Sequence, residues 1–183
     1  MRHVLKRHPD SRCAAAARVE VEVGRPRANN LVLSYTVTGK MSDIRMPSAM
    51  PAARTDDLWQ HTCFEAFIRV SSGVEYYEFN FAPSTQWTAY RFSSYRSGVV
   101  AAEIATPAIE VRSMPDSATL QASLDLGRLP DLQRNASWRL GLSALIEDQS
   151  GGMSYWALAH PPGKPDFHHA DCFALEFSPA VQT

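Results

Sequence analysis

The sequence predicts an all-β chain folded as an antiparallel two-sheet β-sandwich of jelly-roll or immunoglobulin-like type. Three observations predict it. The dominant hydrophobic period is two. Turn-forming clusters such as Ser71-Ser72-Gly73 and Ala82-Pro83-Ser84 break the chain into short runs. No helix-sized segment stands between those runs, which argues for an antiparallel all-β arrangement. A length of 183 residues suits one domain with a sizeable core.

Each element has its own pattern. Arg18 to Val23 alternates Val with Arg and Glu, and Leu31 to Thr38 is rich in β-branched and aromatic residues. Residues 40 to 58 form a long connection that carries Pro47, Pro51 and Asp56-Asp57. Thr62 to Val70, Glu75 to Phe81 and Gln86 to Phe92 follow as three more strands. Ala108 to Arg112, Ala118 to Leu124, Trp138 to Glu147, Ser154 to Ala159 and Cys172 to Phe177 complete the set. Leu126 to Leu132 has room for one short helical turn. The domain is expected over residues 17–178, after an N-terminal leader of residues 1–16 and before a frayed C-terminal tail of residues 179–183.

Composition narrows the function. The chain is 45% hydrophobic and 20% charged, ordinary for a soluble globular protein. Eighteen basic residues against nineteen acidic give a formal charge of −1, which argues against a broad nucleic-acid footprint. Arg2, Lys6, Arg7 and Arg12 crowd the N-terminus and read as a solvated leader. No apolar stretch approaches the roughly 20 residues of a membrane helix. Ala14 to Ala17 is too short for the apolar part of a secretory signal, so the expected location is cytoplasmic. Cys13, Cys63 and Cys172 are odd in number, far apart and outside any CxxC, which suits reduced thiols. Asn135-Ala136-Ser137 matches a glycosylation sequon that a cytoplasmic chain would not use.

The chemistry-bearing residues follow from strand parity. In the strand through Glu65, the residues Phe64, Ala66, Ile68 and Val70 share one face; Cys63, Glu65, Phe67 and Arg69 share the other. In YYEFNF, Tyr77, Phe79 and Phe81 oppose Tyr76, Glu78 and Asn80. If the three central strands are neighbours, one face carries Glu65, Glu78, Asn80 and Arg91 among aromatic rings. Buried charges of that kind form a hydrogen-bonded structural network or a site. Rings stack on the apolar face of a pyranose while polar groups take its hydroxyls, so the set suits sugar recognition. His160, Asp166, His168, His169 and Asp171 match no common zinc spacing, and adjacent histidines on an extended chain point to opposite sides. Pro162-Gly163-Lys164 lacks the flanking residues of a phosphate loop, and nothing resembles GxSxG. Glu65 and Glu78 are also the residues a hydrolase would use.

LWQHTCFEAFI, YYEFNFAPSTQWTAYRFSSYRSG and SYWALAHPPGKPDFHHADCF together resemble the bacterial DOMON-like domain proteins, which are related to the family 9 carbohydrate-binding modules. The resemblance runs from about Val19 to Phe177. It implies a β-sandwich with a binding face and no catalytic machinery. In the family 9 modules two tryptophans clamp a terminal sugar and polar side chains read its hydroxyls. Trp59 looks similar to the first tryptophan, Trp156 is the candidate for the second, and Glu65 falls where those modules have a sugar-binding carboxylate. Arg91 is a candidate polar contact. Other DOMON domains bind haem through axial Met, His or Lys, for which Met114, Met153, His160 and His168 are available.

The expectation is therefore a non-catalytic module that binds a saccharide or a similar small polar ligand weakly. Trp59 and Trp156 would stack on the sugar. Glu65, Glu78, Asn80 and Arg91 would hydrogen-bond it, and His160 and His168 would line the rim. No cofactor, nucleic acid or membrane partner is expected, and the chain would be a monomer or homodimer. The alternatives are a haem- or metal-binding domain and a protein-interaction scaffold.

Overall fold

The computed structural model describes residues 1–132 and 136–178. The expected tail, 179–183, and Asn135 of the sequon lie outside the described residues. The strands are β1 (Arg2–Val4), β2 (Lys6–Arg7), β3 (Ala16–Gly24), β4 (Asn30–Gly39), β5 (Cys63–Val70), β6 (Tyr76–Phe81) and β7 (Trp87–Phe92). They continue with β8 (Val100–Ala101), β9 (Ala108–Ser113), β10 (Ser117–Asp125), β11 (Trp138–Glu147), β12 (Met153–Ala157) and β13 (Leu175–Phe177). A five-stranded sheet has the order β1-β3-β4-β10-β9. An eight-stranded sheet has the order β2-β12-β11-β5-β6-β7-β8, with β13 also paired to β11. All these strand pairs are antiparallel. The all-β sandwich expected from the sequence is the fold observed.

The core lies between the sheets and is filled by the apolar parity of each strand. Val19, Val21 and Val23 meet Leu31, Leu33 and Tyr35 from one side; Phe64, Ala66, Ile68, Phe79, Leu140 and Leu142 come from the other. Tyr35 also reaches across, and its hydroxyl donates to the Glu65 carbonyl at 2.6 Å. Burying that hydroxyl is tolerable because the bond satisfies it. The same bond fixes the strand that carries Glu65.

The N-terminal segment departs from expectation. It is not a solvated leader: β1 pairs with β3 and β2 pairs with β12, so the segment joins both sheets. Leu5, between them, is buried. Arg2 pairs with Glu22, and Arg7 donates to the carbonyls of Ser11 and Cys13. Strands of two and three residues are too short to show a period, and the strands they pair with, and the Glu22 partner of Arg2, lie farther along the sequence.

Smaller differences have similar causes. Leu126 to Leu132 makes turns rather than a helix, with Leu129 N–H donating to Leu126 O at 3.0 Å. Cys172 ends a short 3-10 turn, Ala170–Cys172, and the last strand begins only at Leu175. Cys13, Cys63 and Cys172 are all buried free thiols.

Candidate ligand-binding site

The central strands of the eight-stranded sheet, β11, β5 and β6, bury both faces over most of their length. Their outer face is covered by the segments around residues 54–62, 93–99 and 158–173, and the cover leaves a cleft of about 480 Å³. The floor is sheet: Glu65 and Phe67 of β5, Glu78 of β6, Tyr90 and Phe92 of β7, and Leu145 and Tyr155 beyond. The walls are loop: Trp59, Arg96, Val99, Pro165, Phe167 and His168.

Register explains the floor. Ser143, Glu65, Asn80 and Thr88 stand directly opposite one another across β11, β5, β6 and β7. The next row sets Gly141, Phe67, Glu78 and Tyr90 in line. Ser143 Oγ donates to Glu65 Oε2 at 2.9 Å, and Asn80 Nδ2 donates to Glu78 Oε1 at 2.8 Å. Both carboxyl groups are buried. Burial raises the pKa of each, and the Glu78 charge raises Glu65 further. The two carboxyl groups are coupled, so their protons leave in two steps that belong to the pair.

The walls are positioned by local chemistry. Asp57 takes a left-handed backbone, φ 60°, and opens the 3-10 turn Leu58–Gln60. Asp is one of the few side chains that tolerates this conformation. Leu58 packs into the apolar cluster under the cover, and Trp59 is turned outward, 51% exposed. Across the cleft, a turn closed by Ser97 N–H donating to Ser94 O carries Arg96, φ 51°. Gly98 follows because a Cβ there would strike Ser93 Oγ at 2.0 Å. Arg96 binds Asp166 at 2.8 Å, which ties the 93–99 turn to the PDFHH loop. That loop lies directly on β11, where a Cβ on Gly141 would meet Cys172 O at 3.1 Å.

His168 is the centre of the wall. Phe67 and Phe92 pack edge-on against it, each with ring centroids 5.1 Å away. Desolvation, with help from the Arg96 charge, lowers its pKa to about 4, so the imidazole is neutral at pH 7. Tyr76 hydroxyl accepts from Arg96 N–H at 3.1 Å and lies 2.9 Å from His168 Nδ1. In the tautomer whose Nδ1 accepts from the Tyr76 hydroxyl, the imidazole proton sits on Nε2. Nε2 faces Glu78 Oε2 at 3.7 Å, too far for a direct hydrogen bond.

Trp59, Glu65, Glu78 and His168 of the expected set thus line one cleft. Asn80 lies beneath it and holds Glu78. The other three do not line it. Arg91 stands opposite Tyr77, on the inward parity, and is bound to Asp131 at 2.7 Å and Glu75 at 2.8 Å. Grouping it with Glu65 was an error of strand parity. Trp156 is 5% exposed and packs in the main core opposite Ala144, its indole N–H donating to Ser154 Oγ. Its neighbour Tyr155 holds the outward position. His160 lies behind Phe167, its Nε2 2.8 Å from Lys6 O. His61 is outside the cleft, 2.8 Å from Glu147 Oε2.

Phe67, Tyr90 and Tyr155 also line the cleft, and parity with Glu65 and Glu78, or opposition to Trp156, points to them. Arg96 and Phe167 carried no such signal, since loops have no period. The described residues lining the cleft include one His and no Met or Lys, so they do not supply two axial ligands for a haem. Met114 lies beyond β9, on the other sheet. Among the described residues no three His, Cys, Asp or Glu side chains group as a metal site.

No protein-family model matches the chain, and no curated protein matches it. Solved structures do resemble it. A candidate carbohydrate-binding protein from Bacteroides uniformis has a TM-score of 0.62 at 12% identity, covering 93% of this chain and 83% of that one. A family 9 carbohydrate-binding module from Caldicellulosiruptor kristjanssonii in complex with glucose has a TM-score of 0.54 at 12% identity, covering 91% and 78%. A family 9 module from the same organism in complex with cellotriose has a TM-score of 0.51 at 14% identity, covering 87% and 74%. The likeness is one of fold: this chain is an antiparallel β-sandwich similar in fold to these modules.

Proposed function

We propose that the chain is a non-catalytic saccharide-binding module whose ligand enters the cleft beside Trp59. The observation that carries this reading is the pairing of a half-exposed Trp59 with a buried carboxyl floor, Glu65 and Glu78, in one cleft. A sugar ring has apolar C–H faces and an equatorial belt of hydroxyls that donate and accept. Trp59, Tyr90, Tyr155 and Phe167 offer faces for the first. The coupled carboxyl pair of Glu65 and Glu78 and the neutral His168 imidazole offer partners for the second. His168 Nε2 and Glu78 Oε2 lie side by side, 3.7 Å apart, on the wall and floor of the cleft. The solved structures of this fold with glucose and cellotriose agree with the reading.

A few such contacts, each of roughly 1 kcal/mol, give micromolar to millimolar affinity after the entropy of association. Tryptophan fluorescence titrated with glucose, cellobiose and cellotriose tests this. Trp59→Ala is expected to weaken binding about tenfold, equal to about 1.4 kcal/mol, with little change in unfolding midpoint because the side chain is half in water. Unchanged affinity in that variant would sink the cleft reading. A Soret band in the purified protein would favour haem instead.

One observation favours a second reading. Glu65 and Glu78 lie on the same face, burial raises both, and the Glu78 charge raises Glu65 further, as an acid and carboxylate pair for glycoside hydrolysis would require. That reading predicts release of shorter sugars from cellotriose. The module reading expects cellotriose to be recovered intact after binding.

A further inference from the structure

Beside the cleft lies a second hollow of about 460 Å³, and the two share the His168 ring. Their chemistry is opposed. The cleft has two carboxyl groups in its floor. The described residues lining the second hollow include Arg69, Tyr76, Ser94, Tyr95, His169 and Phe173, and no carboxylate. Arg69 is its cationic group, set among aromatic and apolar side chains.

Arg69 is the cation of that hollow. Its guanidinium lies over the Phe173 ring, 4.8 Å from the centroid. Its Nε is buried and has no hydrogen-bond partner among the described residues. A buried donor without an acceptor is rare and expensive in a native structure. The residue directly opposite Arg69 on β11 is Arg139, so two like charges face each other across the sheet. Such a pair is destabilising by itself. Glu176 answers Arg139, at 3.7 Å. The neighbouring arginines are all answered: Arg96 by Asp166, Arg91 by Glu75 and Asp131, and Arg45 by Glu147. Arg69 is where this face of the sheet holds positive charge in reserve beside a concave, aromatic-lined space.

We propose that the second hollow receives an anionic oxygen group, a carboxylate or a sulfate, carried by the sugar residue next to the one in the cleft. The ligand class is then an acidic oligosaccharide, in which one ring meets the carboxyl floor and an acidic neighbour meets Arg69. The shared His168 ring sets the two subsites side by side, so one continuous ligand reaches both. This proposal rests on the saccharide reading of the cleft.

The test is calorimetric titration of the full chain with cellobiose and with cellobiose carrying a carboxylate or a sulfate at C6 of either ring. Wild-type protein is expected to prefer an acidic disaccharide by about tenfold, the scale of one charge-assisted hydrogen bond. The preference should shrink as salt is raised. Arg69→Gln should remove most of it, and Arg69→Lys should retain part. Because Arg69 packs on Phe173, a second variant guards against misfolding: Ser94→Asp, on an exposed turn, should abolish the preference by repulsion. The relative affinities of the two acids identify the group. Equal binding of neutral and acidic sugars, or a preference that survives both Arg69→Gln and Ser94→Asp, would overturn this inference and leave the cleft reading intact. Binding of no sugar at all would remove both readings together.

Discussion

The five-stranded and eight-stranded sheets share one core and differ on their outer faces. Along β10 burial alternates, and Gln121 and Asp125 reach water between buried Leu120, Ala122 and Leu124. Along β5 and β6 it does not: every residue from Cys63 to Ile68 and from Tyr76 to Phe81 is buried. A sheet with one wet face is a scaffold that tolerates almost any polar side chain outside. A sheet buried on both faces needs a cover, and here the cover is loop. Loops pack less regularly than a second sheet, so they leave hollows over a rigid floor. The cleft and its neighbour both lie under that cover, on this side of the sandwich.

Truncation separates the two faces most strongly. Phe67 is buried on the outer face of β5 and touches the rings of Tyr76, His168 and Phe173. Phe67→Ala is expected to destabilise by about 3–5 kcal/mol in denaturant unfolding, as for a ring in a true core. Gln121→Lys, at an exposed outward position of the other sheet, should stay within about 0.5 kcal/mol. A loss below about 1 kcal/mol for Phe67→Ala would mean that the loops merely rest on the sheet, and the comparison would break.

Acidity comes next in size. Burial, with Glu78 adding to it, raises Glu65 from 4.5 to about 8, whereas burial lowers His168 from 6.5 to about 4. The raised carboxyl contributes stability that is fully present below pH 4.5 and is lost as pH rises through about 8. The lowered imidazole contributes stability that is present above pH 6.5 and is lost as pH falls through about 4. Between pH 4.5 and 6.5 the two oppose each other; above 6.5 the carboxyl pair acts without the imidazole. Unfolding free energy should therefore fall from pH 6.5 to 8.5, with a slope of at most about 1.4 kcal/mol per pH unit for each proton released. Glu65→Gln keeps the shape, removes the charge and should flatten most of that slope. A slope unchanged in the variant would place the titration elsewhere. No such dependence is expected from the outer face of the five-stranded sheet.

The same contrast decides what the sequence could reveal. On β3, β4 and β10 the alternation of apolar and polar residues is visible letter by letter, so their inward sets were legible. On β5 and β6 it is masked by burial on both sides, yet Glu65 and Glu78 still marked the outer face because a carboxyl among rings is conspicuous. Parity failed one strand later. Arg91 is polar and inward, paired with Asp131 at the edge of the core, and nothing in WTAYRF distinguishes it from an outward arginine. Trp156 failed for the opposite reason: a tryptophan suits a core as well as a sugar, and its strand put Tyr155 outward instead. Arg96, Phe167 and Arg69 needed three-dimensional closure, since their roles depend on loops meeting strands far away in sequence.

The smallest effect sharpens the comparison at its border. His61 follows Trp59 by two residues and belongs to the same cover, but it points away from the cleft. Its Nδ1 lies 2.8 Å from Glu147 Oε2, while Arg45 holds the other carboxylate oxygen at 2.9 Å. Burial opposes ionisation of Glu147, but hydrogen bonds from His61 and Arg45 prevail and hold its pKa below the ordinary value. The imidazole is more than half exposed, so solvent screens the pair and it is worth no more than about 1 kcal/mol. His61→Asn should therefore shift the unfolding free energy by a few tenths of a kcal/mol, because Arg45 still answers the carboxylate. Cellobiose affinity measured on the same variant should not move, whereas Trp59→Ala lowers it. If His61→Asn weakened sugar binding as much as Trp59→Ala, the ligand would have to extend past Trp59 toward Glu147, and the boundary of the site would be redrawn on that side.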